Sequence, residues 1–191
     1  MVYNPSEDRV NLRAKKFLMW LLVLSSFMLF AGWTSGFIVY TAGSVNRGLK
    51  IILPEVFKYS TTAIIISSIT MHLAYLSGKR MQFDKQKIYL VLTIILGITF
   101  FVLQLMAWKT LTKQGVYLVN YNASQSFIYI FTGVHLAHIF AGILMLINAL
   151  SGRLNNIPQF RNMFRLEMSS IFWHFIDILW IYLYVFLLLN Q

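Results

Sequence analysis

The stretch "SIFWHFIDILWIYLYVFLLL", Ser170 to Leu189, decides how this chain is read. It is long and apolar enough to cross a bilayer, yet it holds a histidine and an aspartate three residues apart. A carboxylate at the centre of a bilayer costs about 2.5–3.5 kcal/mol on insertion scales. A chain that keeps Asp177 and His174 in such a segment has a use for them inside a helix bundle, because lipid offers no partner.

Working outward, four more segments share that character. Phe17–Tyr40, Tyr59–Leu76, Ile88–Trp108 and Ser126–Leu150 join Met168–Leu189 as runs near the roughly 20 residues that a spanning helix needs. None alternates with the period of two that a barrel strand would show. The sequence therefore predicts an all-α integral membrane bundle of five transmembrane helices, residues 17–191, preceded by a polar arm, residues 1–16, lying along the inner surface. Phe17–Tyr40 is too long for the apolar part of a cleavable signal and is expected to be the first spanning helix. Composition agrees: 58% of the residues are hydrophobic and only 12% charged, which leaves no room for a water-soluble domain. The absence of cysteine excludes disulfides and thiolate metal sites.

The net charge of +10 falls mainly in the connections, where membrane proteins place it, so no nucleic-acid partner is expected. Eleven cations flank one side: Arg9, Arg13, Lys15 and Lys16, then Lys79, Arg80, Lys85 and Lys87, then Arg153, Arg161 and Arg165. The other side holds five, Arg47, Lys50, Lys58, Lys109 and Lys113. The positive-inside rule puts the N-terminus inside and the C-terminus outside.

Small residues mark close packing. Gly32 and Gly36 form a GxxxG spacing, which reads first as ordinary packing within the bundle; Gly133 and Gly142 lie in the fourth helix. Five polar side chains within the spans need explaining: His72, His135, His138, His174 and Asp177. The pairs His135/His138 and His174/Asp177 are spaced i, i+3 and share a helix face. On spacing alone the readings are a bis-histidine haem on His72 and His174, a His/Asp metal site, a proton relay or transporter, and a structural set that fastens helices. Bulky Phe172, Trp173 and Phe175 beside His174 leave little room for a haem. No helix is broken by a central proline, as transporter sites often are.

The motifs themselves carry a family resemblance. "FWHFIDILW" resembles the last helix of cytochrome c oxidase subunit III, with Trp173, His174, Phe175, Asp177 and Trp180 in register and the acid Glu167 upstream. "FTGVHLAHIFAG" resembles the helix before it through Thr132, Gly133, His135, His138 and Gly142. "LGITFFVLQLMAW" matches through Gly97, Phe100, Gln104 and Trp108. "TTAIIISSITMHLA" resembles the family's Ser/Thr-rich helix, and "LSSFMLFAG" matches through Ser25, Met28, Phe30, Ala31 and Gly32. In two places the chain departs from the family: Ser26 and Ala107 stand where it usually carries glutamates, so roles tied to those acids do not transfer. Five helices correspond to the last five of the seven in longer members.

The resemblance implies a non-redox, non-catalytic subunit of a bacterial haem–copper terminal oxidase in the plasma membrane. Such a complex reduces oxygen to water and pumps protons, with haem and copper in partner subunits I and II. No catalytic, cofactor or metal residue is expected in this chain. The expected partners are those two subunits, phospholipids, and a larger respiratory supercomplex around them. Quinol oxidase subunit III is the alternative, and a self-standing bis-His cytochrome b the alternative of another class. Asp177 is expected to hydrogen-bond His138 or His174, and Gly32, Gly36 and the Ser/Thr face of "TTAIIISSIT" to contact subunit I or neighbouring helices.

Overall fold

The computed structural model describes residues 5–43, 49, 52–119, 121–154 and 158–191, with the backbone alone for 5–10. Five helices follow in order: α1 Pro5–Ala42, α2 Val56–Lys79, α3 Phe83–Lys113, α4 Ala123–Leu154 and α5 Gln159–Leu189. All five contain windows long and apolar enough to cross a membrane. Arg47 and Lys50, counted above as outer cations, lie outside the described residues, as do residues 1–4; Arg9 is described by its backbone only.

Each helix runs past its apolar run. Residues 5–16, expected as a separate surface arm, instead continue α1 without a break. The hydrocarbon layer limits only the apolar part, to about 20 residues. Beyond it nothing in "SEDRVNLRAKK" stops a helix, and the turns continue into the polar boundary.

Contacts at the two ends show that the helices alternate in direction. At one end Lys16 meets Glu167, the Arg153 guanidinium lies over Phe83, and Gly78 packs on Leu166. At the other end the Tyr40 hydroxyl accepts from Ala123 N, and Leu53 N donates to Gln191. The tightest connection, between α2 and α3, turns within Arg80–Gln82. Met81 takes φ 55° there while Gln82 N returns to Ser77 O at 3.0 Å. So short a turn sets α2 and α3 antiparallel, and they form the most extensive helix pair.

The ring α2–α3–α4–α5 is the core, and α1 lies outside it against α4 and α5. Its buried positions, Ser26, Phe30, Thr34 and Phe37, recur every three or four residues and form one narrow stripe. Only 17% of the apolar window of α1 is buried, against 33–44% in the other four helices. Gly32 and Gly36 fall off the stripe: a Cβ at either would meet nothing within 4 Å among the described residues. Packing within the bundle, the first reading of that GxxxG pair, is therefore not its role.

The close approaches are elsewhere. Trp173, fully buried, lies across two glycines at once. A Cβ at Gly97 would stand 2.8 Å from its ring, and one at Gly142 3.0 Å. Gly133 has only ordinary contact, 3.7 Å to the Trp108 ring.

Candidate polar framework

In hydrocarbon a polar side chain has only other helices to bond with. Trp173 Nε1 donates to Ser67 Oγ at 3.0 Å, and Trp180 Nε1 donates to Thr61 Oγ1 at 3.0 Å, both from α5 to α2. Ser68 Oγ bonds His174 Nδ1 at 2.7 Å. Between α2 and α3, Thr70 pairs with Thr93 at 2.9 Å and Gln104 Nε2 donates to Ser60 Oγ at 3.0 Å. Trp108 Nε1 donates to Thr132 Oγ1 at 2.9 Å, tying α3 to α4. The Ser/Thr face of α2 is thus used by neighbouring helices of this same chain, α3 and α5.

Besides the Tyr40–Ala123 bond at its far end, α1 is fastened at three levels. Lys16 Nζ donates to Glu167 Oε1 at 2.6 Å near the N-terminal end. Ser26 Oγ bonds His138 Nε2 at 3.1 Å at mid-depth, and Thr34 Oγ1 pairs with the Tyr182 hydroxyl at 2.8 Å further on. Both partners of the Lys16–Glu167 pair are over a third exposed, so it contributes little beyond register. Ser26 is buried, so its hydroxyl has no water to turn to and meets the histidine instead. Ser26→Ala is expected to leave His138 Nε2 without that partner and to weaken α1 docking by about 0.6 kcal/mol, and by no more than about 2. Proteolytic release of α1 under mild heating would measure it, and Ser26→Thr should recover the wild-type value.

The histidine pairs do not act as pairs. His135 is fully buried between the Phe100 and Trp180 rings, with centroids at 5.7 and 4.9 Å. His138 faces α1 instead, its Nδ1 donating to Val134 O at 2.8 Å. Likewise His174 turns to α2 while Asp177 faces inward and is buried. Residues i and i+3 stand about 60° apart around a helix, enough to send two side chains into different interfaces where three helices meet.

That geometry corrects the expected partner of Asp177. Neither His138 nor His174 bonds it. Those rings are taken by Ser26 and Ser68, and neither Asp177 oxygen has a hydrogen-bond partner among the described residues. The His135 nitrogens and Gln104 Oε1 are similarly without partners there.

Ala107 is fully buried, with no acid in place of its methyl group. His72 and His174 stand with ring centroids 6.1 Å apart, tilted by 56°. Among the described residues no group of three or more His, Cys, Asp or Glu side chains is disposed to hold a metal ion.

Sequence reasoning singled out the histidines and the aspartate. It missed that tryptophans and hydroxyls make most of the inter-helix bonds, and that Tyr182 and Thr34 anchor α1. The signal was available in part: Trp173, Trp180 and Trp108 each carry one N–H that must be satisfied when buried.

Fold and framework together define a class: a polytopic membrane bundle whose intramembrane polar side chains fasten one helix to the next. Comparison with known proteins narrows it. Residues 9–190 match the family described as cytochrome c oxidase subunit III. Cytochrome c oxidase subunit 3 of Bacillus subtilis is 30% identical, covering 95% of this chain and 90% of that one. Cytochrome bo(3) ubiquinol oxidase subunit 3 of Buchnera aphidicola from Acyrthosiphon pisum is 25% identical over 98% of this chain and 92% of its own. Cytochrome c oxidase subunit 3 of Bacillus sp. PS3 is 28% identical over 93% and 87%. The chain belongs to the cytochrome c oxidase subunit III family.

Proposed function

We propose that the chain is the non-redox subunit III of a bacterial haem–copper terminal oxidase. In this reading it sits in the plasma membrane with its N-terminus inside. It binds subunits I and II, which hold the haem and copper, reduce oxygen to water and pump protons. Its own task is to keep the complex intact and support proton uptake during turnover. The observation that carries the reading is the family match along almost the whole chain, residues 9–190, with the framework built on the matched residues Trp173, His174, Trp180, Gln104 and Thr132.

The chain's own groups suit packing better than redox ligation. His174 and His138 are engaged by serines, and the motif tryptophans Trp173 and Trp180 each donate a single hydrogen bond between helices. Affinity purification in mild detergent tests this. The full chain should bring down haem-bearing partners, and the same chain freed from them should show no Soret band. A stoichiometric Soret band on the isolated chain would instead establish a self-standing cytochrome b. The electron donor follows from which reductant, cytochrome c or quinol, sustains oxygen uptake by the purified complex. Relatives named for both kinds of oxidase make quinol the second reading.

Asp177 gives a sharper test of the supporting role. Its carboxyl group has no hydrogen-bond partner among the described residues, so Asp177→Asn preserves shape and removes no such bond. The variant is expected to hold stability within about 1 kcal/mol, keep the haem spectrum, and lower initial oxygen consumption only modestly. Immediate loss of oxygen reduction in an intact complex would assign Asp177 a direct proton-transfer role.

A further inference from the structure

The core of the ring α2–α3–α4–α5 changes character at the end that carries the α2–α3 turn. Gln86 of α3 is fully buried there and Asn162 of α5 almost so. Neither amide has a hydrogen-bond partner among the described residues, at its oxygen or at its nitrogen. Two neighbours repeat the pattern: Gln159 Oε1 and Arg153 Nε are buried without a partner there. Exchanging oxygen and nitrogen on either amide cures nothing, because both atoms are unmet.

Two glycines let these side chains meet. A Cβ on Gly78 of α2 would stand 3.4 Å from Gln86 Cδ, and Gln159 Nε2 donates to Gly78 O at 3.5 Å. A Cβ on Gly152 of α4 would stand 3.0 Å from Asn162 Oδ1. Beside it the Arg153 guanidinium lies 3.6 Å over the ring of Phe83, three residues before Gln86 on α3. All four core helices thus contribute to one polar end. Gln86 stands two residues before the apolar run that begins at Ile88, and Asn162 about 9 Å before Met168 along α5. The amides therefore lie at the level of the lipid headgroups, where water is at hand.

The unmet atoms are of both kinds. Gln86 Nε2, Asn162 Nδ2 and Arg153 Nε are donors, while Gln86 Oε1, Asn162 Oδ1 and Gln159 Oε1 are acceptors. An anion would answer the donors alone and a cation the acceptors alone. Water donates and accepts, and it is small enough to sit between packed helices. We propose that this end of the core is a binding site for ordered water, which bridges Gln86, Asn162 and Gln159 and joins the ends of the four helices. The need for glycine at 78 and 152 follows, because a methyl group at either would press on an amide that must face the water. Further along the bundle the helices are joined directly, as by Thr70–Thr93 and Trp173–Ser67. The site belongs to the chain's own core and does not depend on the oxidase reading.

The test is hydroxyl-radical footprinting of the full chain in lipid nanodiscs. Short X-ray pulses make radicals from water where it stands, and these oxidise the side chains that the water touches. Leu166 is fully buried, and a Cβ on Gly78 would stand 2.8 Å from it. It is expected to be labelled several-fold faster than Leu183, which is also fully buried on α5 but far from the amides. Gln86→Leu/Asn162→Leu replaces both amides by apolar groups, so no buried donor or acceptor of theirs is left behind. It should bring Leu166 down to the rate of Leu183. Should the double variant fail to fold, Asn162→Leu alone should still lower the labelling of Leu166 by half or more. Lys85→Gln, a change at the exposed neighbour of Gln86, should leave it as it was. Equal labelling of Leu166 and Leu183 in the wild-type chain would overturn the proposal, because the amides would then be sealed from water. Labelling of Leu166 that persists in the double variant, or that falls as far in Lys85→Gln, would overturn it as well, because the amides would not be what holds the water.

Discussion

Trp173→Ala is expected to destabilise the bundle by about 3 kcal/mol, the low end of the range for emptying a buried tryptophan site. The low end applies because lipid is as apolar as the core, so the transfer part of the penalty shrinks while the cavity and lost contacts remain. The ring is fully buried, donates to Ser67 on α2, and lies on Gly97 of α3 and Gly142 of α4. One side chain of α5 thus sets the spacing of the three other core helices. The converse substitution tests the same joint. Gly97→Ala brings a methyl group to 2.8 Å from a ring that is rigid and enclosed, so the ring or a helix must shift. A gain of about 1 kcal/mol in helix propensity is expected to be outweighed by overpacking of about 1–3 kcal/mol. Combining Gly97→Ala with Trp173→Phe should cost less than the two changes summed, because the smaller ring vacates the space the methyl group needs. Unfolding curves in mixed micelles would read all three. Additive costs would mean that Trp173 and Gly97 do not share one space.

How much of this was legible beforehand depended on whether a property follows from one helix or from where several meet. The five spans were readable because lipid imposes length and composition on each helix separately. The polar residues were legible as a set for the same reason, since each is conspicuous in hydrocarbon. Their partners were not. His138 and His174 invite pairing with Asp177, but a rotation of about 60° between i and i+3 delivers them to Ser26 and Ser68. In sequence Ser26 stood out only for what it replaces, and its partner shows once α1 is set against α4. The end of α1 was misjudged because apolarity marks where lipid stops, not where a helix stops.

The GxxxG pair of α1 leads to the second large effect. Gly32→Leu or Gly36→Leu is expected to leave the chain's own heat stability unchanged or slightly raised. Neither Cβ meets anything within 4 Å among the described residues, and glycine is the poorer helix former by about 0.8–1 kcal/mol. Recovery of the chain with the oxidase complex should nevertheless fall at least tenfold, the mark of a docking loss of about 1.4 kcal/mol or more. The reason is that helices associate in lipid by close contact rather than by a hydrophobic drive, so small residues on an exposed helix face serve a neighbour. This face is exposed in the chain, flanked by Met28 and Leu29, while the opposite stripe through Phe30 and Phe37 is already buried. Gly32→Ala should reduce recovery less than Gly32→Leu, because a methyl group displaces a partner helix less than an isobutyl group. Phe27→Leu, which keeps an apolar side chain, should reduce it little. Quantitative co-purification in mild detergent, with thermal unfolding of the free chain measured alongside, separates docking from folding. Unchanged recovery for both leucine variants would show that a different face of the bundle meets the partner subunit. A parallel drop in the free chain's stability would show that the two glycines support the chain's own fold.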